Sequence, residues 1–210
     1  MLLTVPLLVL GGLTTIAPAA SVVTVTAGTP TGPTITYTES TPLHGGTGGT
    51  ASQVLCSPDS ALTGLTLISD GSTFASQGFG AGLAVYCTQV DTSGALVGAP
   101  VLAGTVRSTD VTTASGNYPT SCPTGSVVTG DQGRAGTLID AVQVNCMGLS
   151  GGVLSGGSSG AAASSPNDPL TATSGGVPFG PDNCLSGSFA IGVDARSGQD
   201  LDALDRKSVV

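Results

Sequence analysis

Residues 122–146 read CPTGSVVTGDQGRAGTLIDAVQVNC, and residues 184–208 read CLSGSFAIGVDARSGQDLDALDRKS. The two stretches align over 25 positions without a gap and share eight residues: Cys122/Cys184, Gly125/Gly187, Ser126/Ser188, Gly130/Gly192, Arg134/Arg196, Gly136/Gly198, Asp140/Asp202 and Ala141/Ala203. A looser copy opens at Cys56 (CSPDSALTG), closes at Cys87 (LAVYC) and carries seven extra residues in its middle. Self-similarity of this kind points to one supersecondary unit used repeatedly. In the copy at 122–146, Val142, Val144 and Cys146 alternate with Gln143 and Asn145, as a half-buried strand requires. The unit is β-rich and occurs three times.

The last copy departs from this pattern. Leu204, Arg206 and Ser208 stand where Val142, Val144 and Cys146 stand in the copy before it. An arginine at a core position predicts either an exposed edge strand or a register shift that carries Val209 and Val210 inward.

Composition agrees with an all-β reading. The chain has 33 Gly, 9% charged residues, 3% aromatics and no Trp, which suits short strands joined by tight turns. Net charge is −8, and the five Lys+Arg are scattered, with only Arg206 and Lys207 adjacent. No basic patch exists to neutralise phosphates or to dock on an anionic membrane, so neither nucleic acid nor membrane is expected as a partner. With one His and no His/Cys cluster, no metal site or cofactor is expected. The pattern G-x-S-x-G occurs only inside the Gly/Ser-rich segment, at 148–152 (GLSGG) and 156–160 (GGSSG), where composition alone produces it; no phosphate loop occurs, and the chain does not read as an enzyme.

Residues 1–20, MLLTVPLLVLGGLTTIAPAA, have the apolar stretch and the small-residue Ala17-Pro18-Ala19 end of a secretory signal peptide, without its usual positive start. Secretion permits disulfides. The simplest pairing lies within the copies, Cys56 with Cys87 and Cys122 with Cys146, each contributing about 3–4 kcal/mol by the chain-entropy argument. Cys184 faces Ser208 and is the odd cysteine, available to join two copies of the chain.

Residues 21–43 read as a Thr/Pro-rich linker, with the alternating segment TITYTE at 34–39 able to add an edge strand. One domain then covers 44–210, with repeats at about 44–112, 113–149 and 174–210. Short strands are expected at 96–102 and 105–107, and a turn at 116–119 (GNYP). Residues 150–173 lie in a low-complexity Gly/Ser/Ala segment and are expected as a flexible surface loop. His44 opens the glycine run HGGTGGT, and as a lone loop histidine it is expected in solvent.

Gly198-Gln199-Asp200-Leu201-Asp202 resembles the G-x-x-x-D sugar-binding loop of jacalin-type lectins, and Gly136-Thr137-Leu138-Ile139-Asp140 is a second match. The run from His44 to Gly49 resembles the glycine-rich loop near the start of those lectins. The Cys-bounded form of the repeats is also similar to the Cys-containing β-prism modules of vitelline membrane outer layer proteins. The resemblance covers about 44–210. It implies a β-prism of three four-stranded Greek-key sheets about a pseudo-threefold axis, in agreement with the three repeats.

A fixed carboxylate can accept from two vicinal sugar hydroxyls, and such charge-assisted bonds are the stronger kind. The resemblance makes Asp202 that acceptor, with amides of Gln199 and Asp200 donating and Gly45 or Gly46 flanking Gly198. Gly136, Thr137, Leu138 and Asp140 would form a second site. Jacalin-type loops often offer an aromatic stacking face; these two do not. The alternative is structural: Asp140 and Asp202 cap their own turns, or pair with Arg134 and Arg196. The functional expectation is a secreted, non-catalytic protein that binds glycans or extracellular polysaccharide. Its rival is a secreted coat protein with the same fold and no sugar site.

Overall fold

The computed structural model describes residues 37–40, 42–70, 80–108, 114–164 and 176–209. The expected signal peptide, the start of TITYTE, residues 165–173 and Val210 lie outside them. Every regular element among the described residues is a β-strand: β1 Tyr37–Ser40, β2 His44–Gly45, β3 Thr50–Leu55, β4 Ser60–Asp70, β5 Gly82–Val90, β6 Leu96–Arg107 and β7 Ala114–Ser121. The series continues with β8 Ser126–Ala135, β9 Ile139–Ser150, β10 Val153–Ser159, β11 Ala163–Ser164, β12 Val177–Asn183, β13 Phe189–Ser197 and β14 Leu201–Val209.

Each Cys-opened repeat supplies the central hairpin of one antiparallel sheet. The orders are β6-β5-β4-β7, β10-β9-β8-β12 and β1-β14-β13-β3, with the two-residue strands β11 and β2 added to β9 and β14. On the inner flank of each hairpin lies the strand that leads into the next repeat: β7, β12 and, closing the circle, β3. Strand β1 pairs with β14, so the two ends of the described chain share a sheet. This is the three-sheet β-prism that the resemblance implied, with one sheet to each repeat.

The repeats match in detail. Register shifts follow Leu62, Val128 and Ala190, each the residue opposite position 87, 146 or 208 of the partner strand. A bulge leaves one residue outside the ladder. Here that residue is Thr63, Thr129 or Ile191, and its carbonyl accepts the amide of a repeat-opening cysteine just past the end of a neighbouring strand: Cys122 N to Thr63 O at 2.9 Å, Cys184 N to Thr129 O at 2.8 Å and Cys56 N to Ile191 O at 2.8 Å. At the other end of the hairpins, Leu201 N donates to Gly80 O (2.8 Å) and Gly80 N to Ile139 O (2.9 Å), tying the three sheets together around the axis.

Equivalent inward positions build the core in layers. Leu62, Val128 and Ala190 form one, and Leu83, Val142 and Leu204 another, all 0–1% exposed. The disulfides Cys56–Cys87 and Cys122–Cys146 join strands with Cα–Cα distances of 5.7 and 5.6 Å. Cys184 is half-buried and packs on the same core.

Three expectations are corrected here. Strand β14 is neither an edge nor shifted. It lies between β13 and β1, with Leu204 opposite Ala195 and Arg206 opposite Val193. Arg206 stays inward, 2% exposed, because Asp131 of β8, 5% exposed, pairs with it from another sheet. Secondly, the Gly/Ser-rich segment expected as a loop over 150–173 supplies β10 and β11. A strand at a sheet edge needs a backbone ladder more than an apolar face, and β10 takes that ladder from β9 with most of its residues exposed. Thirdly, Gly116-Asn117-Tyr118-Pro119 is no turn; it continues β7. Among the described residues that strand pairs only with β4, so Pro119 forfeits no ladder bond on its open side. The two strand candidates around Gly104 likewise form a single strand, β6.

Candidate functional site

The β13–β14 hairpin turns through Gly198, Gln199 and Asp200, closed by Gly198 N donating to Asp200 O at 3.0 Å. The β8–β9 hairpin repeats the turn, with Gly136 N donating to Leu138 O at 2.9 Å. Each turn delivers its aspartate at the second residue of the following strand, Asp202 on β14 and Asp140 on β9.

The glycine run 45–49 covers Asp202 from a separate part of the chain. Gly45 pairs with Ala203 in the ladder, and Gly46 N donates to Asp202 O at 2.8 Å. These two glycines therefore hold the backbone of Asp202. Its carboxylate faces the next pair. A Cβ on Gly48 would lie 2.6 Å from Asp202 Oδ1, and one on Gly49 would overlap Oδ2 and the Ser197–Gly198 peptide. Gly198 closes the third side, its Cβ position 3.4 Å from Oδ2. Asp202 Oδ2 is buried and has no hydrogen-bond partner among the described residues. Around it, Gly48, Gly49 and Gln199 are exposed and Asp200 is half-buried.

Gly49 has φ +63°, in the left-handed region. Gly49→Ala combines that backbone penalty with overlap on Asp202, and it should cost about 1–2 kcal/mol or more. Thermal melts of the variant check this; an unchanged melting temperature would mean the loop does not rest on the carboxylate.

The second aspartate sits differently. Asp140 is 2% exposed, and a Cβ on Gly176 would overlap its Oδ2. Gly136 and Thr137 are exposed and Leu138 is half-buried. Gly46 also rests on the carbonyl of Thr137, so the glycine run touches both hairpin turns. The structure thus brings Gly45, Gly46, Gly198, Gln199, Asp200 and Asp202 into one place, and sets the loop 136–140 against its flank with its carboxylate sealed in.

Arg134 and Arg196 each donate to a glycine carbonyl. Arg196 Nε reaches Gly48 O at 2.7 Å and Nη2 reaches Gly49 O at 2.8 Å, while Arg134 Nη2 reaches Gly176 O at 2.7 Å. His44 is not simply solvated: its Nε2 pairs with Asp182 Oδ2, and its ring stacks on Phe179 at 4.2 Å between centroids and 10° between planes. Since His44 lies on β2 and both partners lie on β12, this pair ties the start of the glycine run to a second sheet.

The residues missed from the sequence are Gly48 and Gly49. A signal was present. Gly48-Gly49 directly precede β3 as Gly175-Gly176 precede β12, and both strands lead to a repeat-opening cysteine. Chemically, the assembly offers a partly open carboxylate with a buried, unsatisfied oxygen, walled by backbone. That suits a ligand presenting hydroxyl donors at close approach.

A mannose-specific jacalin-related lectin from Morus nigra, solved with mannose, superposes over 89% of this chain and 100% of its own, with a TM-score of 0.51 and 15% identity. The fold is the jacalin-type β-prism. Two further lectins align with lower scores. Calystegia sepium agglutinin covers 82% of this chain and 96% of its own at TM-score 0.49 and 16% identity. Malaysian banana lectin covers 82% and 97% at TM-score 0.49 and 12% identity. No family model matches the sequence, and no curated protein matches it. At these identities the likeness establishes the β-prism and leaves the site to be argued from its own residues.

Proposed function

We propose that this β-prism is a secreted, non-catalytic carbohydrate-binding protein. Its site is the turn 198–202 under the glycine run 45–49. The observation that carries the reading is Asp202 Oδ2, buried among three glycines without a hydrogen-bond partner among the described residues. A buried acceptor left unsatisfied costs about 1–3 kcal/mol. A sugar hydroxyl entering beside Gly48 and Gly49 would relieve that cost. Gln199 and Asp200 add backbone N–H donors at the rim. The mannose in the Morus nigra lectin supports a neutral saccharide as the first ligand to try. Secretion is supported by the apolar start of the chain and by the two disulfides. Cys184 would be the point at which two copies join.

Asp202→Ala removes the central acceptor. On a glycan array followed by titration of the best ligand, it should weaken binding about ten- to a hundredfold. Asp140→Ala should weaken it less, since Asp140 is 2% exposed. Loss of thermal stability with sugar affinity intact would make Asp202 a turn cap instead.

That result would favour the second reading, a secreted coat protein with the same fold. The arrangement around Asp140 supports it: a similar Gly, Arg and Asp unit occurs there with the carboxylate sealed.

A further inference from the structure

We propose that Arg196 is the positioning residue of this site, holding the glycine run in the shape that receives the ligand. The inference rests on the carbohydrate reading of the turn 198–202. Arg196 stands near the end of β13, opposite Ala203 on one side and Ala51 on the other. From there its guanidinium reaches across to both carbonyls of the covering loop, Gly48 O through Nε at 2.7 Å and Gly49 O through Nη2 at 2.8 Å. Two adjacent donors of one rigid planar fork fix two successive peptide groups at once.

The consequence for binding follows from peptide geometry. In a planar trans peptide the carbonyl and the N–H point in opposite directions. With the Gly48 carbonyl turned to Arg196, the Gly49 N–H is turned away from it. Gly49 has φ +63° and lies against the Asp202 carboxylate. The clamp therefore fixes the direction of the Gly49 N–H on a residue that borders the Asp202 carboxylate, and a donor and an acceptor held in fixed relation are what a vicinal diol needs. A run containing four glycines between 45 and 49 has no side-chain packing of its own to hold that shape. Repeat two carries one bond of this device, with Arg134 Nη2 on Gly176 O at 2.7 Å above Asp140. The shared arginine is thus a part of the repeated unit, and the open carboxylate in repeat three gives it a ligand to serve.

The test compares native protein, Arg196→Gln and Arg196→Lys in the full chain. Hydrogen exchange of the ligand-free protein reads the clamp directly: amides of residues 46–50 should exchange faster in Arg196→Gln, while those of 136–140 should not. Mannose titration reads the consequence. If releasing the loop leaves about a tenth of molecules in the competent shape, the apparent Kd rises about tenfold. Arg196→Lys, which can serve one carbonyl, should fall between the two and keeps the test open if the Gln variant does not fold. Unchanged exchange at 46–50 overturns the proposal, as does faster exchange with unchanged mannose affinity. If native protein binds neither mannose nor any array glycan, the carbohydrate reading fails, and a positioning role at a sugar site is overturned with it. The exchange result then identifies Arg196 as a structural clamp alone or as no clamp.

Discussion

Arg206→Met should destabilise the protein by about 3–5 kcal/mol, as expected when one partner of a buried ion pair is removed and the other charge is left behind. Arg206→Met combined with Asp131→Val should recover most of that loss. Both side chains are buried, Arg206 at 2% and Asp131 at 5% exposed, and they meet across two sheets. The positions equivalent to Arg206 in the other repeats are Val85 and Val144, and those equivalent to Asp131 are Leu65 and Val193, all buried. Four of the six places in this part of the prism are thus already apolar. The double variant extends to the last two a packing that the fold accepts elsewhere, and Met keeps much of the length of the arginine stem. Replacement of a buried pair by apolar groups of similar volume is often neutral or stabilising. Urea unfolding of the four proteins in the cycle measures the coupling. Each single variant should lower the melting temperature by roughly 6–20 °C for a domain of this size. A double variant as unstable as the sum of the singles would show that the charges do not depend on each other.

The same pair explains what could and could not be read in advance. Repeats, alternation and within-repeat disulfides were legible because each is local to one hairpin and recurs. Arg206 reads as a sign of an edge strand or a register shift because nothing local marks which carboxylate meets it, although its own repeat carries Asp194, Asp200, Asp202 and Asp205. Its partner lies 75 residues away in the central hairpin of another sheet. The clue was that Asp131 also breaks an apolar position of its repeat, and two opposite departures in one layer are explained by each other. His44 was misread for the same reason, with Asp182 and Phe179 more than 130 residues downstream. At the site, the turn 198–202 was legible as a motif, but HGGTGG contains two glycine pairs. Only the ladder between β2 and β14 separates the pair that holds the backbone of Asp202 from the pair that faces its carboxylate. Strand β10 escaped because composition reports side chains, and its pairing to β9 is made by the backbone.

Ser208→Cys should form a third disulfide with Cys184 and stabilise the protein by about 3–4 kcal/mol, by the loop-closure argument for 25 residues. The backbone is already arranged for it. In the two bridged repeats the closing cysteine is opposite Leu62 or Val128, and the register shifts just after that residue. In repeat three Ser208 is opposite Ala190, and the register shifts at the same point. The opening cysteines are equally matched, since Cys56, Cys122 and Cys184 each donate an amide to a bulge carbonyl at 2.8–2.9 Å. The ladders thus place Ser208 where the closing cysteines of the other repeats stand, and the existing pairs hold Cα atoms 5.7 and 5.6 Å apart, within the range a disulfide needs. Mass mapping of a non-reduced digest should find Cys184 joined to the introduced cysteine, with the native pairs intact. The melting temperature should rise by roughly 6–16 °C and fall back on reduction of that bridge. If Cys184 is instead found joined to a second copy of the chain, its place is at an interface between copies, and the symmetry of the three hairpins stops short of position 208.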